Sequence, residues 1–440
     1  MKKNLNDPSS LALLRTALTW NHLSQILFGI SAIGIVGLIA RFYGASALGY
    51  FSFINAIFIV LTQVATAGIH NSVLVQLANQ NKPKSEQSVI LFSAIALVVL
   101  INLPLCLFLY IYSHELSEFF QIDDIEIGLA FLAPAIFFFS INKIILFSFN
   151  ATKKVRMFSV GQSSRYILIL VSVLGGTLAS LEPKWLASSF LIAELMVFTT
   201  ISFYTLKLYK PTIKISKKWL RKHLSYGLKG AGSGFFITLN LNVDVLILGL
   251  FVSQTELGGY SLVALIVVGI YHLLTAVRVS FNPFLANLIS QNQLQELSRL
   301  IIKARRYIFA AIALLICTAT ILIPITISNL AAPNDFKNSF ILFLILAPGV
   351  IIYSLFFPFD QILAMGNRPA QQSLFNLQVL FANLFLNLIL IYWLGSIGAA
   401  IATSVVSTII APILLRFLVL QNIGVDLFFP STKTEYPSGN

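Results

Sequence analysis

Seven ionisable residues stand inside long apolar runs or at their ends: the cations Arg41, Lys143, Arg165 and Arg278 and the acids Glu194, Asp244 and Asp360. A charged side chain at mid-bilayer costs about 2.5–3.5 kcal/mol on insertion scales, so one that persists there faces a partner or a watery cavity. Arginine brings a rigid fork of donors suited to phosphate or carboxylate, and lysine a compact point charge. The acids can pair with an arginine or carry a coupling proton. The chemistry on offer is therefore the holding of an anionic group and the exchange of a small cation.

Each position also has a purely structural reading. Arg278 lies deepest, midway along its apolar run, and Lys143 about one span-half from the basic pair Lys153-Lys154; interhelical pairing or snorkelling weighs about as much for both as ligand contact. Arg41 and Arg165 lie nearer span ends, where snorkelling is the simpler account. Asp244 falls about 22 Å along its helix from Lys229, toward the outer side, where it can serve as a gate counter-ion. Asp360 near an inner span end and Glu194 near a span middle are placed for a structural pair or for coupling, with the pair favoured. His22, His70 and His272 read as packing residues. Asn240, Asn242, Asn376, Asn383 and Asn387 can meet sugar hydroxyls, though such amides more often join helices.

The elements that position these groups follow from composition. Hydrophobic residues make up 57% of 440 positions and charged residues 10%, which leaves too little charge for an ordinary water-facing surface. Twelve apolar stretches, each able to cross about 30 Å of hydrocarbon, are expected near 16–40, 47–75, 88–111, 127–149, 158–180, 185–207, 230–251, 259–289, 306–329, 338–363, 371–393 and 396–420. The first ends in Ala40-Arg41-Phe42-Tyr43 rather than a small-residue cleavage pattern, so it is expected to be retained. This is an all-α polytopic membrane protein by expectation. Of the 29 Lys and Arg, most fall in alternate loops, whereas the opposite loops hold only Arg41, Lys184 and Lys337. Lys and Arg are retained on the cytoplasmic side, which places both termini there.

The net charge of +13 is thus a matter of topology, and no folded basic module is present to bind nucleic acid. Gly49-Tyr50 and Gln80-Asn81 recur as Gly259-Tyr260 and Gln291-Asn292 at nearly the same offset, as do Cys106 and Cys317. A repeat spanning six helices preserves orientation, so two parallel lobes are expected, with the substrate path between them. The domains read as 1–206, a basic linker 207–229, 230–420 and a cytoplasmic tail 421–440. Within the linker, Leu220, Leu224 and Leu228 among Lys217, Lys218, Arg221, Lys222 and Lys229 suggest an amphipathic helix at headgroup level, with a solvated basic loop as the even alternative.

Several motifs carry a resemblance. The segment Ala40-Arg41-Phe42-Tyr43-Gly44-Ala45-Ser46-Ala47-Leu48-Gly49-Tyr50 resembles the signature of bacterial polysaccharide flippases of the Wzx type. Asn240 to Gly249, followed by Glu256-Leu257-Gly258-Gly259-Tyr260-Ser261, is similar to that family's seventh-to-eighth helix segment. Ala364-Met365-Gly366-Asn367-Arg368 with Asn376, Asn383 and Asn387 is similar to its tenth-to-eleventh helix region. The resemblance implies the fold of the multidrug/oligosaccharidyl-lipid/polysaccharide exporter (MOP, MATE-like) superfamily. It further implies translocation of undecaprenyl-pyrophosphate-linked oligosaccharide, O-antigen or a related repeat unit, from the cytoplasmic to the periplasmic leaflet of the bacterial inner membrane.

On that reading Arg278, Lys143, Arg41 and Arg165 line the headgroup path, while Asp244, Asp360 and Glu194 act as gate or coupling groups. Membrane lipids and a polysaccharide polymerase complex are the expected partners. No cofactor is expected beyond coupling to an H+ or Na+ gradient. The rival within the superfamily is a multidrug/cation antiporter, disfavoured because the first helix lacks an early acidic residue. A membrane polysaccharide polymerase or ligase would call for a large charged outer loop, and only 112–126 is acidic here. With no metal-spaced cluster, phosphate loop or nucleophilic triad in view, a non-enzyme is expected.

Overall fold

The computed structural model describes residues 8–430 except 79–81, 121, 210–213 and 331; Lys2, Lys3, Lys210, Lys433 and the Gln80-Asn81 repeat lie outside the described residues. Helices are the only regular structure among the described residues. Backbone groups in hydrocarbon must be satisfied within their own segment, and helices do this for runs as apolar as these. Among the described residues, ten helices are long and apolar enough to cross a membrane, and the bent pair Gly234–Asn240 and Val243–Phe251, angled by 44°, passes the same test jointly. The chain is a multi-pass membrane protein.

Each expected span falls on one of these helices. The seventh is the bent pair, and the eleventh and twelfth share the single run Pro369–Ile423. That run contains Gly395 at φ 58° and ψ −135°, a conformation only glycine adopts without strain. A Cβ on Gly398 would meet the Leu390 carbonyl oxygen at 2.0 Å. In one continuous helix those residues would stand about 12 Å apart, so the chain reverses there into two arms. Glu256 holds the turn by accepting from the Ser396 N–H at 2.7 Å.

The chain divides into two compact units: Met1–Tyr43 with Tyr50–Phe235, and Gly44–Gly49 with Phe236–Asn440. The first is organised around Ile69, Val73, Leu91, Ala94 and Ile144. The segment 207–229 belongs to it rather than standing apart as a linker. Its helix, Lys217–Asn240, docks through Trp219, His223 and Gly227, all buried; of the expected leucine stripe Leu220 packs on this core, whereas Leu224 and Leu228 are exposed. Gly227 is required by the close approach, since a Cβ there would lie 2.4 Å from the Ala67 carbonyl oxygen. His223 is bonded to Ser72 Oγ at 2.9 Å and to the Ile90 carbonyl oxygen at 3.1 Å. Burial, with Lys222 and Lys82 adding to it, pushes its imidazole down to about 4.

In the second unit the start of the helix Gly44–Thr66 meets the start of Gln254–Ser290 at backbone distance. A Cβ on Gly258 would lie 1.9 Å from the Ala45 carbonyl oxygen, and one on Gly49 2.0 Å from that of Gln254. Backbone cannot yield as a flexible side chain does. Gly258→Ala is expected to lower the thermal unfolding midpoint of the purified protein clearly, by the equivalent of about 1–3 kcal/mol or more. Gly269→Ala on the same helix, where a Cβ meets nothing within 4 Å, should leave the midpoint nearly unchanged.

The last helix runs to Ile423, two residues beyond the expected start of the tail, and the chain then turns through Gly424 at φ +84° into a short strap. Val425 and Leu427 are fully buried. Arg305 ties the strap to the break between the helices Ser339–Ser354 and Ile362–Met365 by donating to the carbonyl oxygens of Leu355 and Leu427. Asp426 closes it, receiving Arg416 at 2.6 and 2.9 Å and the Phe428 N–H at 2.7 Å.

Candidate functional site

The intramembrane charges gather into one cluster in each unit. In the first, Arg165 on the helix Val155–Leu178 and Glu194 on Ser188–Tyr209 form an ion pair, with the side chains 5% and 1% exposed. Asn142 donates to Glu194 Oε2 at 2.8 Å. Snorkelling therefore does not account for Arg165: a carboxylate on a neighbouring helix holds it inside the protein. Lys143 lies one residue along from Asn142 on the helix Ile125–Ala151 and donates only to a neutral group, Gln63 Oε1, at 3.5 Å. The Phe139 ring sits between the two cations, 4.2 Å from the Arg165 guanidinium carbon and 5.6 Å from Lys143 Nζ.

Counted by formal charge, Lys143, Arg165 and Glu194 leave one positive charge uncompensated, and among the described residues no carboxylate forms an ion pair with Lys143. Arg41 stands apart at the end of the helix Pro8–Phe42, exposed, its guanidinium carbon 6.0 Å from the Phe42 ring.

The second unit holds a cavity of about 1350 Å³, counting its open mouth, and both remaining acids and Arg278 line it. Arg278 on Gln254–Ser290 is bonded through Nη1 to both Asp360 oxygens, at 2.9 and 3.2 Å. Its guanidinium carbon lies 4.6 Å from the Phe357 ring, which stacks on Tyr271 at 5.4 Å and 7°. Asp360 follows the helix break at Pro358, where Gln372 donates to its main-chain carbonyl oxygen at 2.9 Å. The break is what turns a residue of the tenth span toward Arg278.

At the other pole is Asp244, just past the bend at 241–242. Its carboxylate accepts from Tyr260 at 2.7 Å, Thr403 at 2.8 Å, Asn387 at 3.2 Å and Asn383 at 3.4 Å. All four donors are neutral. Asn387 Oδ1 is buried and has no hydrogen-bond partner among the described residues. The set is rich in oxygens and neutral amides, and a rotation of either amide would present a further oxygen, an assignment that an amide leaves open. Such a set suits a proton or a hard monovalent cation. Arg278, Asp360 and Asp244 sum to one negative charge, so the two clusters differ in sign.

Sequence reasoning named Lys143, Arg165, Arg278, Glu194, Asp244 and Asp360 but not what meets them. Gln63, Tyr271, Tyr353, Phe357 and Thr403 carry no mark in the sequence, because single polar or aromatic residues are common in any span; Tyr260 stands out there only as part of the Gly259-Tyr260 repeat. Among the described residues no group of three His, Cys, Asp or Glu could hold a metal ion.

This architecture is that of known flippases and multidrug transporters. A solved structure of the lipid II flippase MurJ, in an inward closed conformation, matches with a TM-score of 0.74 over 92% of this chain and 87% of that one, at 19% identity. An inward-facing multidrug resistance MATE family transporter of the MOP superfamily matches with a TM-score of 0.73 over 90% and 94%, at 11% identity. The eukaryotic MATE transporter AtDTX14 matches with a TM-score of 0.61 over 93% and 94%, at 15% identity. No curated protein matches the sequence. Residues 38–330 match the polysaccharide biosynthesis protein family, and the chain belongs to that family.

Proposed function

We propose that this protein is a flippase that carries an undecaprenyl-pyrophosphate-linked oligosaccharide from the cytoplasmic to the periplasmic leaflet of a bacterial inner membrane, by alternating access, with both termini cytoplasmic. The observation that carries the reading is the uncompensated cation Lys143, held inside the membrane by a neutral amide and an aromatic ring in a chain of this family. A pyrophosphate needs a charge-assisted donor along its path, and a cation already neutralised by a carboxylate offers less. Lys143 is thus the first contact, with Arg41 at a span end as a second. Arg278, shared with Asp360, becomes available only if that pair opens, and Arg165 positions the cluster around Phe139.

Asp244 is the coupling group in this proposal. The Asp244 carboxylate, with the hydroxyl oxygens of Tyr260 and Thr403 beside it, can hold H+ or Na+ without a competing protein cation. An imposed gradient of the coupling ion is expected to accelerate flipping by wild type in proteoliposomes and to have no effect on Asp244→Asn at equal incorporation. A gradient response that survives in Asp244→Asn would move coupling elsewhere.

One observation favours a second reading. The cavity of the second unit is net negative and lined by Tyr271, Tyr353 and Phe357, a surface that also suits an organic cation. The same proteoliposomes decide between the two: a wild type that moves the lipid-linked glycan supports the flippase, whereas one that exports organic cations and leaves the glycan in its leaflet is a multidrug antiporter.

A further inference from the structure

The helix Lys217–Asn240 carries two apolar stripes, and the first unit covers one of them and, of the other, the first residue, Leu220. Trp219, His223 and Gly227 are turned inward. Leu224 and Leu228 are 39% and 66% exposed among the described residues. They precede the apolar part of this helix, which begins at Gly234, so they do not belong to a span. Cations gather around Trp219, on the same helix. Lys82, Lys222 and Lys218 place Nζ 4.7, 4.9 and 6.0 Å from the centre of the Trp219 ring. Their ammonium groups therefore crowd within about one Debye length, roughly 8–10 Å, of one another.

Among the described residues no carboxylate forms an ion pair with any of the three. Three like charges held around one indole, on a helix kept rigid by the bonds of His223 and the close approach of Gly227, repel one another unless an anion lies between them. Exposed leucines beside lysines are also the composition of a helix lying in the plane of a bilayer, apolar residues among the upper acyl carbons and ammonium groups at the phosphates. A water-facing surface has no use for Leu228, and a purely hydrocarbon one has none for the lysines.

We infer that this face of the first unit is a docking surface for anionic phospholipid, with Leu224 and Leu228 inserted below the headgroups and Lys82, Lys218 and Lys222 binding phosphodiester oxygens around Trp219. The inference does not depend on which substrate is transported. A juxtamembrane cation gains from an anionic surface and loses that gain as salt rises. The face thereby ties the stretch that leads into the bent helix to the lipid composition of its leaflet.

The test uses the full chain in proteoliposomes, with a spin label at Leu228→Cys and Cys106 and Cys317 changed to Ser. In phosphatidylcholine vesicles containing phosphatidylglycerol, the label should be more accessible to oxygen than to a water-soluble nickel complex. The Lys82→Gln, Lys218→Gln, Lys222→Gln triple variant should shift it toward water. For the delipidated wild type in detergent, phosphatidylglycerol should bind about tenfold tighter than phosphatidylcholine, and high salt should remove the difference. That second measurement stands even if the triple variant fails to fold. A label that stays in water in the anionic vesicles, dipolar broadening between labels of two copies, or equal binding of both lipids would each overturn the inference. Competition by inorganic phosphate without insertion of the label would also do so, making the site one for soluble phosphate.

Discussion

Arg165→Met with Glu194 left in place is expected to destabilise the purified protein by about 3–5 kcal/mol, the usual cost of stranding one member of a buried ion pair. Glu194 would keep the amide of Asn142 but lose the only cation bonded to it among the described residues. The variant should show a sharply lower unfolding midpoint in detergent and a poor yield of monodisperse protein. Replacing both, Arg165→Met with Glu194→Leu, should recover most of the loss, because two matched apolar groups carry no desolvation penalty. A double variant as unstable as the single one would mean that the pair contributes net stability through its own geometry, and a single variant as stable as wild type would mean that Glu194 is not charged when Arg165 is absent.

The second large effect is functional. Lys143→Ala should reduce flipping of undecaprenyl-pyrophosphate oligosaccharide by about ten- to a hundredfold at equal incorporation, the equivalent of one charge-assisted hydrogen bond of about 1.5–3 kcal/mol. Its unfolding midpoint should hold, since Lys143 has no buried carboxylate to strand. Lys143→Arg should retain much of the rate. Arg278→Ala is expected to behave differently: it strands Asp360, so stability and transport should fall together. Equal rates for wild type and Lys143→Ala would remove the lysine from the headgroup path and return the question to Arg41 and Arg278.

The contrast between Lys143 and Arg278 shows where a linear reading stops. Both were visible as cations in apolar runs, and by depth Arg278 was the stronger candidate for a phosphate contact. Depth says nothing of partners. Asp360 lies 82 positions from Arg278, and Glu194 29 from Arg165. Arg165 illustrates the same point from the other side: its place near a span end favoured snorkelling, yet helix neighbours bury it at 4% exposure. The leucines at 220, 224 and 228 read equally well as one face of an amphipathic helix or as part of a solvated basic loop, and the structure makes the segment helical. The docking face was the neighbouring one, because Gly227 lets the backbone approach Ala67 where a larger residue could not.

What the sequence determined by itself is the part that the solvent decides: a chain 57% hydrophobic with apolar runs of span length must place those runs in a bilayer as helices, whatever they pack against. Gly395 and Pro358 are likewise local, since backbone geometry and a missing donor act within a few residues. Tertiary structure alone decided which charges are cancelled and which remain. Coulomb attraction depends on distance in space and local dielectric, and neither is carried by position along the chain. Only when helices distant in sequence come together do Glu194 and Asp360 cancel their arginines, leaving Lys143 in the first unit and Asp244 in the second without an ion-pair partner among the described residues.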